Sequence, residues 1–488
     1  MRENELPQSK PDGFASSLEE GASGVPANLA LTPETANPSG ETVVQKRPQA
    51  FLNHKYKNIF PLNMARAQAE VIPNRPAPAL QSFSRNDTIR PNRNAPLPGF
   101  PVREKEANHM SMNTVPERLA ALRAAMAANG VAVYLIPVGD PHASEYLPCH
   151  YTSLTWFSGF HGENSNFVVT RTESALWADG RYFVQAEKEI AGTEIKLQRM
   201  GEPGVPTVEE YCANALNEGE ALGLCGLTAS TALVNDLKKA LEKKGAFIKT
   251  LNLEDELWTE GRPALPATPA WILPKEYAGF SPAEKLDQLR SKLKELGCTA
   301  QFVGKLDHLA WLLNLRAMDI ECTPYAMAYC YVTPSRAVLF INTARVTPEA
   351  KAELEANGIT LAEYDDVLKF LAAETEPQTV LAETATVNYA VYQVLEQNPA
   401  LTVKDGTDPL LMMKGVKNET ELAHTKQAHI RDAVAMVRFQ IELESRLAAG
   451  ETLTELTVDE ILHKYRSNTD KFIVESFGTI AAYGGNAA

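Results

Sequence analysis

Cysteine is scarce in this chain. Six residues among 488 (Cys149, Cys212, Cys225, Cys298, Cys322 and Cys330) include no Cys-x-x-Cys pair. That spacing excludes a disulfide framework and a thiolate zinc site, and reads as the reduced thiols of a cytoplasmic protein. No run approaches the ~20 consecutive apolar residues that a membrane helix requires. The first thirty residues contain no apolar stretch of the kind that marks a secretory signal. Basic charge is also in deficit: 47 Lys and Arg stand against 61 Asp and Glu, a net charge of -14. A dedicated nucleic-acid binder draws its affinity from a basic footprint that is missing here, so neither nucleic acid nor membrane is an expected partner. Phosphate-cradling signatures are wanting too. Gly201-Glu202-Pro203-Gly204 is not followed by Lys-Ser/Thr, and no G-x-G-x-x-G follows a strand.

What is present is enough sequence for two to four domains at about 100–200 residues each. Hydrophobic residues make up 44% and charged residues 22%, the balance of a globular chain rather than a fibrous or wholly disordered one. Composition breaks near residue 112. The first 110 residues hold 14 of the 31 prolines and near-balanced charge, with no sustained helical or strand period. Such a segment buries too little apolar surface to offset its chain entropy, so 1–112 is expected to be a disordered Pro/Asn-rich tail. The Met110-Ser111-Met112 stretch offers a second reading, a translation start at that point.

Beyond the tail the sequence repeats itself. Thr114-Val115-Pro116-Glu117 is a capping box with Pro in the first turn, followed by Leu119, Leu122 and Met126 at helical spacing and a Gly130 stop. Ser281-Pro282-Ala283-Glu284 opens the same pattern 167 residues later, with Leu286, Leu289, Leu293 and Gly297. Each helix runs into an apolar strand (VAVYLIPV at 131–138; CTAQFVG at 298–304), then a tryptophan-led segment, then another strand (ALWADGRYF at 175–183; AVLFINTA at 337–344). Two duplicated α/β domains at 113–268 and 269–407 are expected, joined by a proline-punctuated connector from about Thr259 to Ser281. From Asp408 the pattern turns helical. Asn418-Glu419-Thr420-Glu421 caps a long helix bearing Leu422, Ile430, Val434, Val437 and Ile441. A shorter one opens at Thr452-Leu453-Thr454-Glu455, and a strand-like run ends the chain. Residues 408–488 make a poor core alone.

Several side chains invite a chemical reading. Asp307, His308 and Asp319 are the tempting metal constellation, but no downstream His and paired Glu complete it, so structural or surface roles are expected. His424 and His429 lie five apart and do not share a helix face, which reads as a solvated surface. Asp140, His142, Ser144 and Glu145 crowd one loop, where hydrogen bonding within the loop is favoured over an acid/base set or a Ser-His-Asp arrangement. Asp179 and Arg181, just past a strand, read as an ion pair or cap. Trp156, beside Ser158-Gly159, has two readings: packing in the core, or a contact at a pocket edge or subunit interface.

The chain resembles the three-domain Xaa-Pro aminopeptidases (aminopeptidase P) of the creatinase / pita-bread metallopeptidase family. The residues that carry the likeness spread over roughly 112–488. Asp140-Pro141-His142-Ala143-Ser144-Glu145-Tyr146 is similar to the family's D-x-H-x-S-E-Y, Ser158-Gly159-Phe160 to S-G-F, and Asp179 to Ala186 to D-G-R-Y-F-x-Q-A. Ala310-Trp311-Leu312-Leu313-Asn314-Leu315-Arg316 with Asp319-Ile320 resembles A-W-L-L-N-L-R-G-x-D-I. Lys414, Lys417-Asn418, Glu421 and Arg431-Asp432 fall where the family opens its catalytic domain. Leu154, Ala317 and Gly162-Glu163-Asn164-Ser165 depart from the pattern and mark a divergent branch.

The resemblance implies two creatinase-like N-terminal α/β domains followed by the incomplete start of an α+β pita-bread domain. It implies an enzyme that uses two divalent ions, Mn²⁺ by the hardness of the oxygen-rich ligand set, to release the N-terminal residue of peptides with proline second. It also implies a homodimer. The family's five metal ligands follow F-x-x-I-x-A-x-G-x-N-A-A, matched here by Phe477, Ile480, Ala482, Gly484, Asn486, Ala487 and Ala488. No catalytic or metal-binding residue is therefore expected within these 488 positions, and the polypeptide as given is expected to be an inactive fragment that binds no metal. The alternative is a non-catalytic family member acting as a dimerising or regulatory protein.

Overall fold

The computed structural model describes residues 114–469 and 471–484. The 1–112 segment, expected to be disordered, lies outside the described residues, as does 485–488.

Six strands make the first sheet: β1 (Val131–Pro137), β2 (Asn166–Thr170), β3 (Ser174–Ala178), β4 (Ile195–Arg199), β5 (Ala221–Leu224) and β6 (Phe247–Thr250). Next along the chain come β7 (Trp271–Ile272), β8 (Ala300–Val303), β9 (Leu315–Arg316), β10 (Tyr329–Val332), β11 (Ala337–Phe340), β12 (Ile359–Ala362), β13 (Gln378–Leu381) and β14 (Leu401–Lys404). The first sheet runs β4-β3-β2-β1-β5-β6 and the second β12-β11-β10-β8-β13-β14, while β7 and β9 form a two-stranded sheet. In each sheet the first strand in sequence is antiparallel to the second and parallel to the fifth. Order and direction thus match position by position, as the internal repeat predicted.

The central strands explain their own apolar runs. On β1, Tyr134 and Ile136 face the helix Val115–Ala128, meeting Leu119, Leu122 and Met126. Val133 and Leu135 face the opposite helices, meeting Leu237 and Val208. A strand covered on both faces reads as continuous hydrophobic sequence instead of alternating. The second sheet repeats this, with Leu286, Leu289 and Leu293 on one face and Leu371, Val391 and Leu395 on the other.

Both opening helices start as their sequences foretold. The Glu117 carboxylate accepts from Thr114 N at 2.6 Å, and Glu284 accepts from Ser281 N at 2.7 Å. Each helix also carries a buried cation four residues past its cap, and here the duplication reaches the side chains. The Arg118 guanidinium lies 4.7 Å from the Trp156 ring and donates to the Trp156 carbonyl. Lys285 Nζ lies 4.3 Å from the Trp311 ring and donates to the Trp311 carbonyl at 2.8 Å. Each tryptophan-led segment is therefore pinned to its own first helix by a desolvated cation–π contact. Burial lowers the Lys285 ammonium to about 8.

The third unit holds the helices Leu410–Gly415, Glu419–Ala448 and Glu455–Ser467. The capping of the long helix is as expected, and Asn418 accepts from Glu421 N at 2.9 Å. Residues 471–484 contain no strand, which corrects the strand-like reading of that run. A strand needs a neighbour to take its N–H and C=O groups, and no described strand flanks it. Its apolar side chains stand out, Ile480 at 82% exposed and Phe477 at 52%.

Candidate functional site

The residues singled out from the sequence gather at two seams. The first lies between the two sheet units. Asp140 Oδ1 accepts from the backbone N of His142 at 3.0 Å and of Ser144 at 2.9 Å, so this carboxylate shapes the loop as expected. Sequence reasoning missed that the loop also grips the second unit. His142 is 1% exposed; its Nδ1 pairs with the Gly304 carbonyl and its Nε2 with the Tyr364 hydroxyl, both at 2.8 Å. Burial holds the imidazole below its ordinary pKa, so it stays neutral, donating to the carbonyl and accepting from the phenol. Asn388 closes the same seam by donating to the Pro141 carbonyl at 2.9 Å. No triad forms, because both ring nitrogens are committed across the seam, and Ser144 donates its backbone N–H to Asp140 while its hydroxyl has no hydrogen-bond partner among the described residues.

The second seam joins the second sheet unit to the helices after Asp408. His308, 1% exposed, pairs through Nδ1 with Asp408 at 2.7 Å, while Asp307 forms an ion pair with Lys414. Asp319 is elsewhere. It forms a buried ion pair with Arg345, takes a hydrogen bond from Thr268 at 2.7 Å, and accepts from Met327 N at 2.7 Å. The tempting trio is thus divided between two structural tasks. Asp408, read in the sequence only as the start of a new unit, is the partner that none of the local motifs signalled. The indole of Trp311 donates to Glu421 at 2.9 Å, and Asn418 donates to the Ala278 carbonyl at 3.0 Å. Gly279, at φ 79°, packs so closely that a Cβ would stand 2.5 Å from Asn418 Oδ1.

The remaining candidates stay apart. Asp179 and Arg181 form an exposed ion pair at 2.8 Å, and the hydrogen bond from Arg181 holds the carboxyl well below the usual carboxylate range. His424 and His429 are exposed, with His424 Nε2 3.1 Å from the Glu276 carbonyl. Glu145 is exposed. Trp156 is 4% exposed, in the core of the first unit, stacked on Trp258 with ring centroids 5.5 Å apart. Among the described residues no group of three or more His, Cys, Asp or Glu side chains is placed to hold a metal ion. These residues therefore do not fit a two-metal centre, and what they supply is positioning. No described helix is long and apolar enough to cross a membrane.

Comparison with known proteins gives this architecture its place. Models of the creatinase/prolidase N-terminal domain match twice, over residues 118–257 and 261–421. Aminopeptidase P2 of Arabidopsis thaliana is 34% identical over 406 residues, covering 77% of this chain and 57% of that protein. The Xaa-Pro aminopeptidase app-1 of Caenorhabditis elegans is 32% identical over 393 residues, covering 77% of this chain and 63% of that one. A crystal structure of X-prolyl aminopeptidase from Caenorhabditis elegans, described as a cytosolic enzyme with a di-nuclear active site, superposes with a TM-score of 0.70 at 31% identity, over 76% of this chain and 62% of that one. The chain thus spans about 60% of the length of these relatives. Repeated sheets, matched domains and shared order together show that the chain belongs to the Xaa-Pro aminopeptidase (aminopeptidase P) family, with two creatinase-like N-terminal domains followed by a pita-bread-like unit.

Proposed function

We propose that this chain serves a cytoplasmic, metal-dependent aminopeptidase that releases the N-terminal residue from peptides with proline in second position. Proline lacks an N–H and has a fixed φ, so such peptides resist general aminopeptidases and call for a dedicated site. In this reading 113–268 and 269–407 are the two framing domains, and 408–488 opens the catalytic one. A pair of divalent ions, Mn²⁺ by ligand hardness, is held by ligands beyond these residues, and the assembly is a homodimer.

The observation that carries the proposal is the surface of the third unit. On Glu419–Ala448 only Ala435 is buried, while Ile430, Val437 and Ile441 are 57, 59 and 63% exposed. An amphipathic helix with its apolar stripe in water calls for a covering layer. The support is the relatives' additional length and the second seam, which already fixes this helix at its start.

The test is direct. The purified 488-residue polypeptide is expected to show no Mn²⁺-dependent hydrolysis of an Xaa-Pro peptide and no stoichiometric metal. Hydrogen exchange is expected to be fast over 408–488 and slow over 113–405. Robust turnover, or uniform protection along the chain, overturns the reading of this polypeptide as an inactive part.

A further inference from the structure

Between the two sheet units lies a cavity of about 200 Å³ whose lining includes Tyr151, Tyr329, Tyr364, Glu254, Arg262 and Asp365. Three phenol-bearing rings in one small cavity give it π faces and hydroxyls together. The charge around it is uneven. Among the described residues of its lining Arg262 is the one guanidinium, already committed: it pairs with Asp255, donates to the His150 carbonyl at 3.1 Å, and lies 5.3 Å from the Trp258 ring. His150, also on the lining, is held below its ordinary pKa by burial and bonds the Pro263 carbonyl through Nδ1 at 2.8 Å.

Two buried carboxylate oxygens remain unspoken for. Glu254 is 3% exposed; one oxygen accepts from the Tyr134 hydroxyl, and Oε1 has no hydrogen-bond partner among the described residues. Asp140 sits between Gly139 and Pro141 of the lining. Its Oδ1 shapes the loop, while its Oδ2 is likewise buried without a partner among the described residues. Unsatisfied carboxylate oxygens in a desolvated place cost free energy that a cationic donor would recover. Aromatic walls with an excess of acid are the recognition chemistry of organic cations.

We propose that this interdomain cavity binds a small organic cation, a primary or methylated ammonium group, with the Glu254 carboxylate as counter-ion and Tyr151, Tyr329 and Tyr364 as its walls. The proposal does not rest on the peptidase reading. Because Glu254 belongs to the first unit and Tyr329 and Tyr364 to the second, a bound cation fastens one to the other and raises the stability of the native state by mass action.

The experiment titrates the full 488-residue chain with methylammonium and tetramethylammonium chloride, with tert-butanol as the neutral control of similar size, by ligand-observed NMR at constant ionic strength. It is run at pH 8, above the value of about 7 to which burial raises the Glu254 carboxyl, which faces Tyr134, Asp255 and Arg262, with the Cys225 thiol also within its electrostatic reach. Saturable binding of at least one ammonium probe is expected, with tert-butanol at least tenfold weaker and Glu254→Gln weakening the cation at least tenfold. Thr228 also lines the cavity, and Thr228→Leu, which fills it while keeping Glu254, is expected to abolish binding and guards against a fold defect in the first variant. A cavity that is only hydrated shows no saturable binding at about 10 mM, and the proposal is then wrong. Equal affinity for the neutral probe, or unchanged affinity in both variants, overturns it as well.

Discussion

Trp311 donates its indole N–H to the same Glu421 carboxylate that closes the capping box of the long helix. One oxygen takes the indole at 2.9 Å and the other takes Asn418 N at 3.0 Å. A single side chain therefore both starts the helix Glu419–Ala448 and fixes it to the second domain. Glu421→Ala is expected to lower stability by about 2 kcal/mol, combining a lost cap with a lost charged hydrogen bond. A double-mutant cycle with Trp311→Phe, read in urea, should return a coupling of about 1 kcal/mol. Additive single effects would separate the two roles.

Gly279 carries the other half of that attachment. Its φ of 79° lies in the left-handed region, and the space where a Cβ would stand belongs to Asn418. Gly279→Ala is expected to cost about 2 kcal/mol through strain and displacement of the cap. Exchange protection should fall first at the start of the long helix; a loss confined to the connector would refute the link.

Asp319 and Arg345 form a pair whose side chains are 0 and 4% exposed. Removing one partner strands a buried charge, so Asp319→Ala is expected to lose about 3–5 kcal/mol. Chemical unfolding of the variant measures this directly, and a loss under 1 kcal/mol would show that the guanidinium finds other acceptors.

Burial raises the Glu254 carboxyl from its ordinary 4.5 to about 7. The folded state then binds more protons than the unfolded one between these values. Its contribution to stability is full below about pH 4.5 and is lost as pH rises through 7, roughly 3 kcal/mol in all. His142, held low by burial, acts in the opposite sense: its contribution is present above about pH 6.5 and lost as pH falls. Urea midpoints across pH 4.5–8 should therefore decline less in Glu254→Gln than in the native chain. Parallel curves would mean that Glu254 is ionised throughout.

Much of this was legible along the chain. The capping boxes at Thr114 and Ser281, the apolar central strands and the long capped helix all depend on residues within a few positions of one another, so local chemistry suffices to read them. The likeness to the family could be read the same way, motif by motif. The strand-like run after Lys471 was misread for the complementary reason: apolar sequence permits a strand, but only a neighbouring strand completes one.

What the sequence determined by itself, then, was the duplication, the capped helix starts and the family, because periodicity, caps and motifs are properties of contiguous residues. The partners were decided by the tertiary structure alone: Asp408 for His308, Tyr364 for His142, Arg345 for Asp319, and Tyr134 for Glu254. These residues lie 26 to 222 positions apart. Whether a charged or polar side chain acts in chemistry or holds two domains together depends on what burial places against it, which the chain acquires only on folding.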